Sequence, residues 1–115
     1  MNISCKENSA GCILNLHSSV LTFELVFKLQ KILNEFPFDK SIALNLNDVD
    51  SICVEFLDLL KETSRKRRIS LTNIQAEIFV LLNLTKYDKF APLFLSDIDF
   101  LEQKRALINR RFSVL

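Results

Sequence analysis

The residues able to carry chemistry in this chain are few: three cysteines, one histidine, and a serine set directly behind a pair of aspartates. Cys5, Cys12 and Cys53 are odd in number and none stands in a CxxC pair. With His17 as the single histidine, they do not reach the ligand count and spacing of a zinc site. They are expected to be reduced, partly buried thiols of a reducing compartment, and neither a metal nor another cofactor is expected. Catalysis by His17 would need a nucleophile and an orienting acid in a motif around it, which the sequence does not supply. A hydrogen-bonded histidine at a strand end is expected instead. Gly11 is the sole glycine, so neither GxGxxG nor GxxxxGK(S/T) can be written, and Gly-rich phosphate loops are excluded. An enzyme is not expected.

What remains is the run Asp48, Val49, Asp50, Ser51. A serine opening a helix can cap its unpaired N–H groups, and a phosphate on that serine would meet the same groups and the positive end of the helix dipole. Beside Asp48 and Asp50, such a phosphate would make the patch strongly acidic and repel an apolar or acidic partner. The basic run Arg65, Lys66, Arg67, Arg68 is expected to complement the C-terminus of the preceding helix and to solvate a turn. Fifteen Lys and Arg against fourteen Asp and Glu leave a formal charge of +1, so no whole-molecule field selects nucleic acid.

The elements that must position these residues follow from periodicity. Residues 2–6 and 11–17 are expected to form two short strands joined by a polar turn, with Cys12, Leu14 and Leu16 alternating with Ile13, Asn15 and His17. Ser18 or Ser19 is expected to cap a helix carrying Leu21, Leu25, Leu29, Ile32, Leu33 and Phe36, stopped by Pro37. Ile42, Leu44 and Leu46 alternate as a strand over 41–47, after which Ser51 is expected to cap a second helix with Cys53, Val54, Phe56, Leu57 and Leu60. A strand at Ile69 and Leu71 precedes a third helix, capped by Thr72 or Asn73 and carrying Ile74, Ile78, Leu81 and Leu82. Leu93–Leu95 reads as a strand. A last helix is expected from Ser96 or Asp97, with Ile98, Leu101, Leu107 and Ile108 on its apolar side and Lys104, Arg105, Arg110 and Arg111 elsewhere. The phenylalanines, ten in all, are expected mostly in the core.

The chain of 115 residues is the length of one domain with one core, and 49% hydrophobic residues suffice for it without disulfides. Strands alternating with helices on short connections imply an α/β fold with right-handed crossovers and a mixed, mostly parallel sheet of about four to five strands covered by about four helices. One domain over 1–115, with its core at about 11–110, is expected. No apolar run approaches the ~18 residues of a membrane span, and a soluble cytoplasmic protein is expected.

The strand ending in Asn45, Leu46, Asn47, Asp48, Val49, Asp50, followed by Ser51, resembles the STAS domain, the family of anti-sigma factor antagonists and sulfate-transporter tails. There a hydrophobic strand ends in Asp-Ser-Ser/Thr-Gly-Leu-Gly; the matching positions here are Asp50, Ser51, Ile52, Cys53, Val54 and Glu55. Downstream, Leu71, Thr72, Asn73 and then Leu81 to Phe90 resemble the family's "LvN...LLeLTGLdklF" segment, so the likeness spans about 11–110. It implies a non-catalytic protein-binding module, an anti-sigma factor antagonist or partner-switching regulator of bacterial transcription, which binds an anti-sigma kinase. Ser51 is then the phospho-acceptor position, and Asp48, Asp50, Ser51, Val54, Glu55 and Asp58 form the partner-binding surface. The alternative role is an accessory subunit of a membrane lipid ABC transport complex with no phospho-switch, the partner then being a transport ATPase. Two of the family's motif glycines are Cys53 and Glu55 here, adding bulk and charge where glycine lets a partner backbone approach. The family's acidic upstream stretch falls near Leu16 to Leu21, where His17, Ser18, Ser19 and Val20 stand instead.

Overall fold

The computed structural model describes residues 3–7 and 11–102. The chain opens with a hairpin of β1 (Ile3–Glu7) and β2 (Cys12–Leu16), followed by a two-residue strand β3 (Val20–Leu21) and helix α1 (Phe23–Asn34). Strand β4 (Ile42–Asn45), the short β5 (Ser51–Ile52) and helix α2 (Val54–Ser64) come next. Then follow β6 (Ile69–Thr72), α3 (Ala76–Thr85), a single 3₁₀ turn (Tyr87–Phe90), β7 (Leu93–Phe94) and α4 (Asp97–Leu101).

The main sheet has the order β1-β2-β4-β6-β7, with β1 antiparallel at one edge and the other neighbours parallel. Its central strands are buried on both faces, as parallel strands flanked by helices are: every residue of β4 and of β6 is buried. The larger core lies on the side of α1, α2 and α3, where Leu14, Leu16, Leu44 and Leu71 meet Leu25, Leu29, Phe56, Leu60, Ile78 and Leu82. On the other face Ile13 and Ala43 pack under Phe100 of α4. Asp97 fixes α4 there: it accepts from Asn45 Nδ2 at 2.9 Å, from Thr72 Oγ1 at 2.5 Å and from Asn73 Nδ2 at 3.4 Å.

The α/β class, the strand-helix order and the parallel sheet agree with the sequence reading; several helix starts do not. Thr22 caps α1, accepting from Leu25 N at 3.3 Å, rather than Ser18 or Ser19. The intervening Val20 and Leu21 are extended because they pair with Ser51 and Ile52 as a separate two-stranded parallel ribbon. The same pairing removes Ser51 from the cap of α2: its backbone belongs to β5, and Cys53 holds the N-cap position with no side-chain capping bond. Gln75 precedes α3, since Thr72 is the last residue of β6 and Asn73 turns through a left-handed φ of 53°, which Asn tolerates. Ser96 caps α4 as expected, accepting from Asp99 N at 3.3 Å. The expected continuation through Lys104, Arg105, Leu107, Ile108, Arg110 and Arg111 lies outside the described residues.

Two further expectations are corrected. Arg67 is not part of a solvated turn; it is buried, and its guanidinium donates to the carbonyls of Leu33 at 3.1 Å, Phe36 at 2.8 Å and Pro37. It satisfies the end of α1, not of α2, because the chain leaving α2 passes that end on its way into β6. Phe56 and Phe100 are core residues, but Phe23, Phe27 and Phe38 are 60%, 50% and 70% exposed. The buried stripe of α1 is Leu25, Val26, Leu29 and Leu33, and Phe23 and Phe27 fall to its side.

Candidate functional site

The carboxyl ends of β2 and β4 leave the sheet next to each other, and both chains then double back to form the ribbon. After β4, Asn45 Oδ1 accepts from Asn47 N at 2.8 Å, and a turn closes with Val49 N donating to Leu46 O at 3.0 Å. Val49 is fully buried, which drives Asp48 and Asp50 on either side of it outward. Asp50 N and Ser51 N both donate to one acceptor, Ser19 O, at 2.7 and 3.1 Å. The segment His17–Leu21 that the sequence places upstream is thus the second wall of the same surface, and Val20, 47% exposed, stands opposite Ser51.

Asp48, Asp50, Ser51 and Val54 come together at this apex, all exposed, with Val54 at 67%. Asp48 is the member with side-chain partners in hand: His17 Nδ1 at 3.4 Å and Asn47 Nδ2 at 3.3 Å. His17 bridges onward, its Nε2 lying 2.7 Å from Ser4 Oγ on β1, so it is the hydrogen-bonded strand-end histidine expected. Ser51 sits two residues ahead of the cap of α2. The helix dipole weakens within a turn, so it supports a phosphate on Ser51 less than a capping position would. Glu55 and Asp58 are exposed too, but they project along α2 and form a rim of a groove between α1 and α2.

The residues at the two motif glycine positions cost the backbone nothing. Cys53 has φ −104° and ψ 168°, ordinary extended values, and Glu55 lies in the first turn of α2. What glycine would supply here is room for an approaching partner, and Glu55 fills that room with a charged side chain.

The thiols are more varied than expected. Cys5 is exposed, Cys12 buried and Cys53 half-buried, all free. Cys5 Sγ lies 2.9 Å from Cys12 Sγ across the hairpin. Burial pushes the Cys12 thiol up to about 12, with the Cys5 hydrogen bond and the Cys5 and Glu7 charges adding to it. Neither thiol touches the apex.

Sequence reasoning missed the α1/α2 groove. Phe23, Phe27 and Phe38 line it above a floor of Val26, Leu33 and Leu59, and it encloses about 230 Å³. The signal was present in the spacing: Phe23 and Phe27, four apart, belong to a second apolar stripe beside the one formed by Leu25 and Leu29.

No protein-family model matches the chain, and no curated protein matches it. Several solved structures share its fold, among them these two. A STAS domain protein of the anti-sigma-factor antagonist type from Planctomyces limnophilus superposes with a TM-score of 0.74 at 12% identity, over 88% of this chain and 95% of the other. A protein proposed to be an anti-sigma factor antagonist from Thermotoga maritima gives 0.72 at 20% identity, over 88% and 92%. The chain has the STAS-domain fold.

Proposed function

We propose that this chain is a non-catalytic partner-binding module, an anti-sigma factor antagonist or related partner-switching regulator. Its binding surface is the apex of Asp48, Asp50, Ser51 and Val54, extended along α2 by Glu55 and Asp58. The observation that carries the reading is Ser51 itself: exposed next to Asp50, opposite Val20, and held by backbone pairing at the carboxyl ends of parallel strands. Open α/β sheets use that edge for ligands. Ser51 is the acceptor for an anti-sigma kinase. A phosphate adds ~1.5 to 2 negative charges beside Asp48 and Asp50, and binding ends by repulsion and desolvation rather than by a change of fold.

The test is binding of purified kinase-type anti-sigma factors from the same genome, with ATP and phosphosite mass spectrometry. Wild type and Ser51→Ala are expected to bind, Ser51→Glu to bind at least tenfold more weakly, and phosphate to be found on Ser51. Absence of binding by both wild type and Ser51→Ala overturns the reading.

One observation favours a second role, an accessory subunit of a lipid ABC transport complex: Cys53 and Glu55, at the cap and first turn of α2, stand where a kinase would need close approach. There, co-purification with the transport ATPase would be indifferent to Ser51→Glu. Both roles call for a chain in the cytoplasm.

A further inference from the structure

The groove between α1 and α2 has a shape, a lining and a charge distribution of its own. The two helices run in the same direction, since each returns the chain from one parallel strand to the next. The groove follows them from Phe23 and Glu55 at their first turns to Asn34 at the end of α1 and Lys66 just past α2, with Phe38 beyond. That is about three helical turns, or ~16 Å at 1.5 Å per residue. Phe23 and Phe27 stack with ring centroids 6.5 Å apart. With Phe38 they leave on the order of 300 Å² of ring surface in contact with water, the size at which an apolar patch on a small protein marks an interaction site.

The rim is asymmetric. Glu55 and Asp58, one turn apart on α2, edge the near half; Glu62 continues the row but lies 3.4 Å from Arg65. On the α1 side the rim residues are Gln30 and Asn34. The face of Phe27 already accepts an ammonium, with Lys31 Nζ 4.7 Å from its centroid. The acidic near half therefore favours cations, whereas Lys66 and Arg67 line the far end, with Arg67 5.5 Å from the Phe38 ring centroid; the floor favours aliphatic side chains.

We propose that the groove is a docking site for an amphipathic helix of a partner protein, one that carries an apolar stripe flanked by Lys or Arg. The apolar stripe at i, i+3/i+4 and i+7 enters between Phe23, Phe27 and Phe38, and the basic flank meets Glu55 and Asp58. This inference rests on the partner-binding reading above and gives the partner's surface a chemistry; it does not require modification of Ser51.

The probe is a synthetic amphipathic peptide of ~18 residues, long enough to hold a helix, with a Leu stripe and Lys on one flank. Its twin carries Glu in place of Lys. Binding of each to the full chain is followed by fluorescence anisotropy at two salt concentrations. The Lys peptide is expected to bind at least tenfold more tightly than the Glu peptide and to weaken with salt. Phe23→Ser with Phe27→Ser removes binding, and Glu55→Lys with Asp58→Lys reverses the preference. These positions are exposed, and circular dichroism verifies that each variant is folded.

Equal binding of the two peptides, or binding undiminished in the Phe variant, overturns the proposal. So does sedimentation showing a dimer that dissociates on Phe27→Ser, which assigns the groove to a second copy of this chain. If the peptides fail while Ser51→Glu still releases the kinase, the groove is wrong and the partner-binding reading stands.

Discussion

Two regions of this molecule, the pocket that holds Arg67 and the apex around Ser51, treat their polar side chains in opposite ways. At the amino ends of the parallel strands, Arg67 is sunk against the last turn of α1 and shared among three carbonyls. Gly11 leaves so little room that a Cβ there would come within 3.0 Å of Ser41 O and 3.1 Å of the Phe100 ring. At the apex, Asp48, Asp50, Ser51 and Val54 are exposed, with long contacts from Asp48 to His17 and Asn47. Arg67 spends its polar groups on holding elements together, as Asp97 does with Asn45, Thr72 and Asn73 at the carboxyl ends, and the apex leaves its side chains available. Exposure of a charged side chain beside an exposed valine adds nothing to stability, which is the pattern the proposed recognition role calls for.

The largest test of that contrast is Arg67→Ala. It strips the end of α1 of its buried donor and is expected to cost about 3 kcal/mol, read as a shift in the urea midpoint. Burial lowers the pKa of Arg67, yet the side chain stays protonated throughout the useful pH range, so this contribution should be flat with pH. A loss below ~1 kcal/mol would break the comparison at its strong end.

The second test is alkaline. The Cys12 thiol is raised from 9.0 to about 12 in the fold, so the unfolded chain ionises first. Its contribution is complete below pH 9.0 and is lost as pH rises toward about 12. Urea midpoints should fall over that window, and more steeply in the native chain than in Cys12→Ala. The smallest effect is expected at the apex, where Asp48→Asn and Val54→Ser should each stay within ~0.5 kcal/mol of the native chain while weakening partner binding. A stability loss above ~1 kcal/mol at either position would make the apex structural.

Much of this was legible in the sequence where a pattern ran long enough to show. The alternation through Ile42, Leu44 and Leu46 placed β4, Pro37 bounded α1, and the Asp-Ser run located the apex. Strands β3 and β5 were not legible, because two residues carry no period and their pairing joins positions 31 apart. Ser51 followed by an apolar helical stripe looks like a cap in one dimension; only the ribbon shows that the chain stays extended until Cys53. Arg67 hid inside a run of four basic residues, three of which are exposed as charge runs usually are. Its burial depends on where α1 ends in space, which local sequence does not encode. Phe23, Phe27 and Phe38 were hidden by the opposite habit, that aromatic residues at helical spacing belong to a core.

Because Ser19 O receives both Asp50 N and Ser51 N, the stretches 19–21 and 50–52 behave as one unit of variation rather than two. A change in either is felt as a new aim for the serine and a new starting angle for both helices. Divergence at one should therefore be matched at the other among chains of this fold.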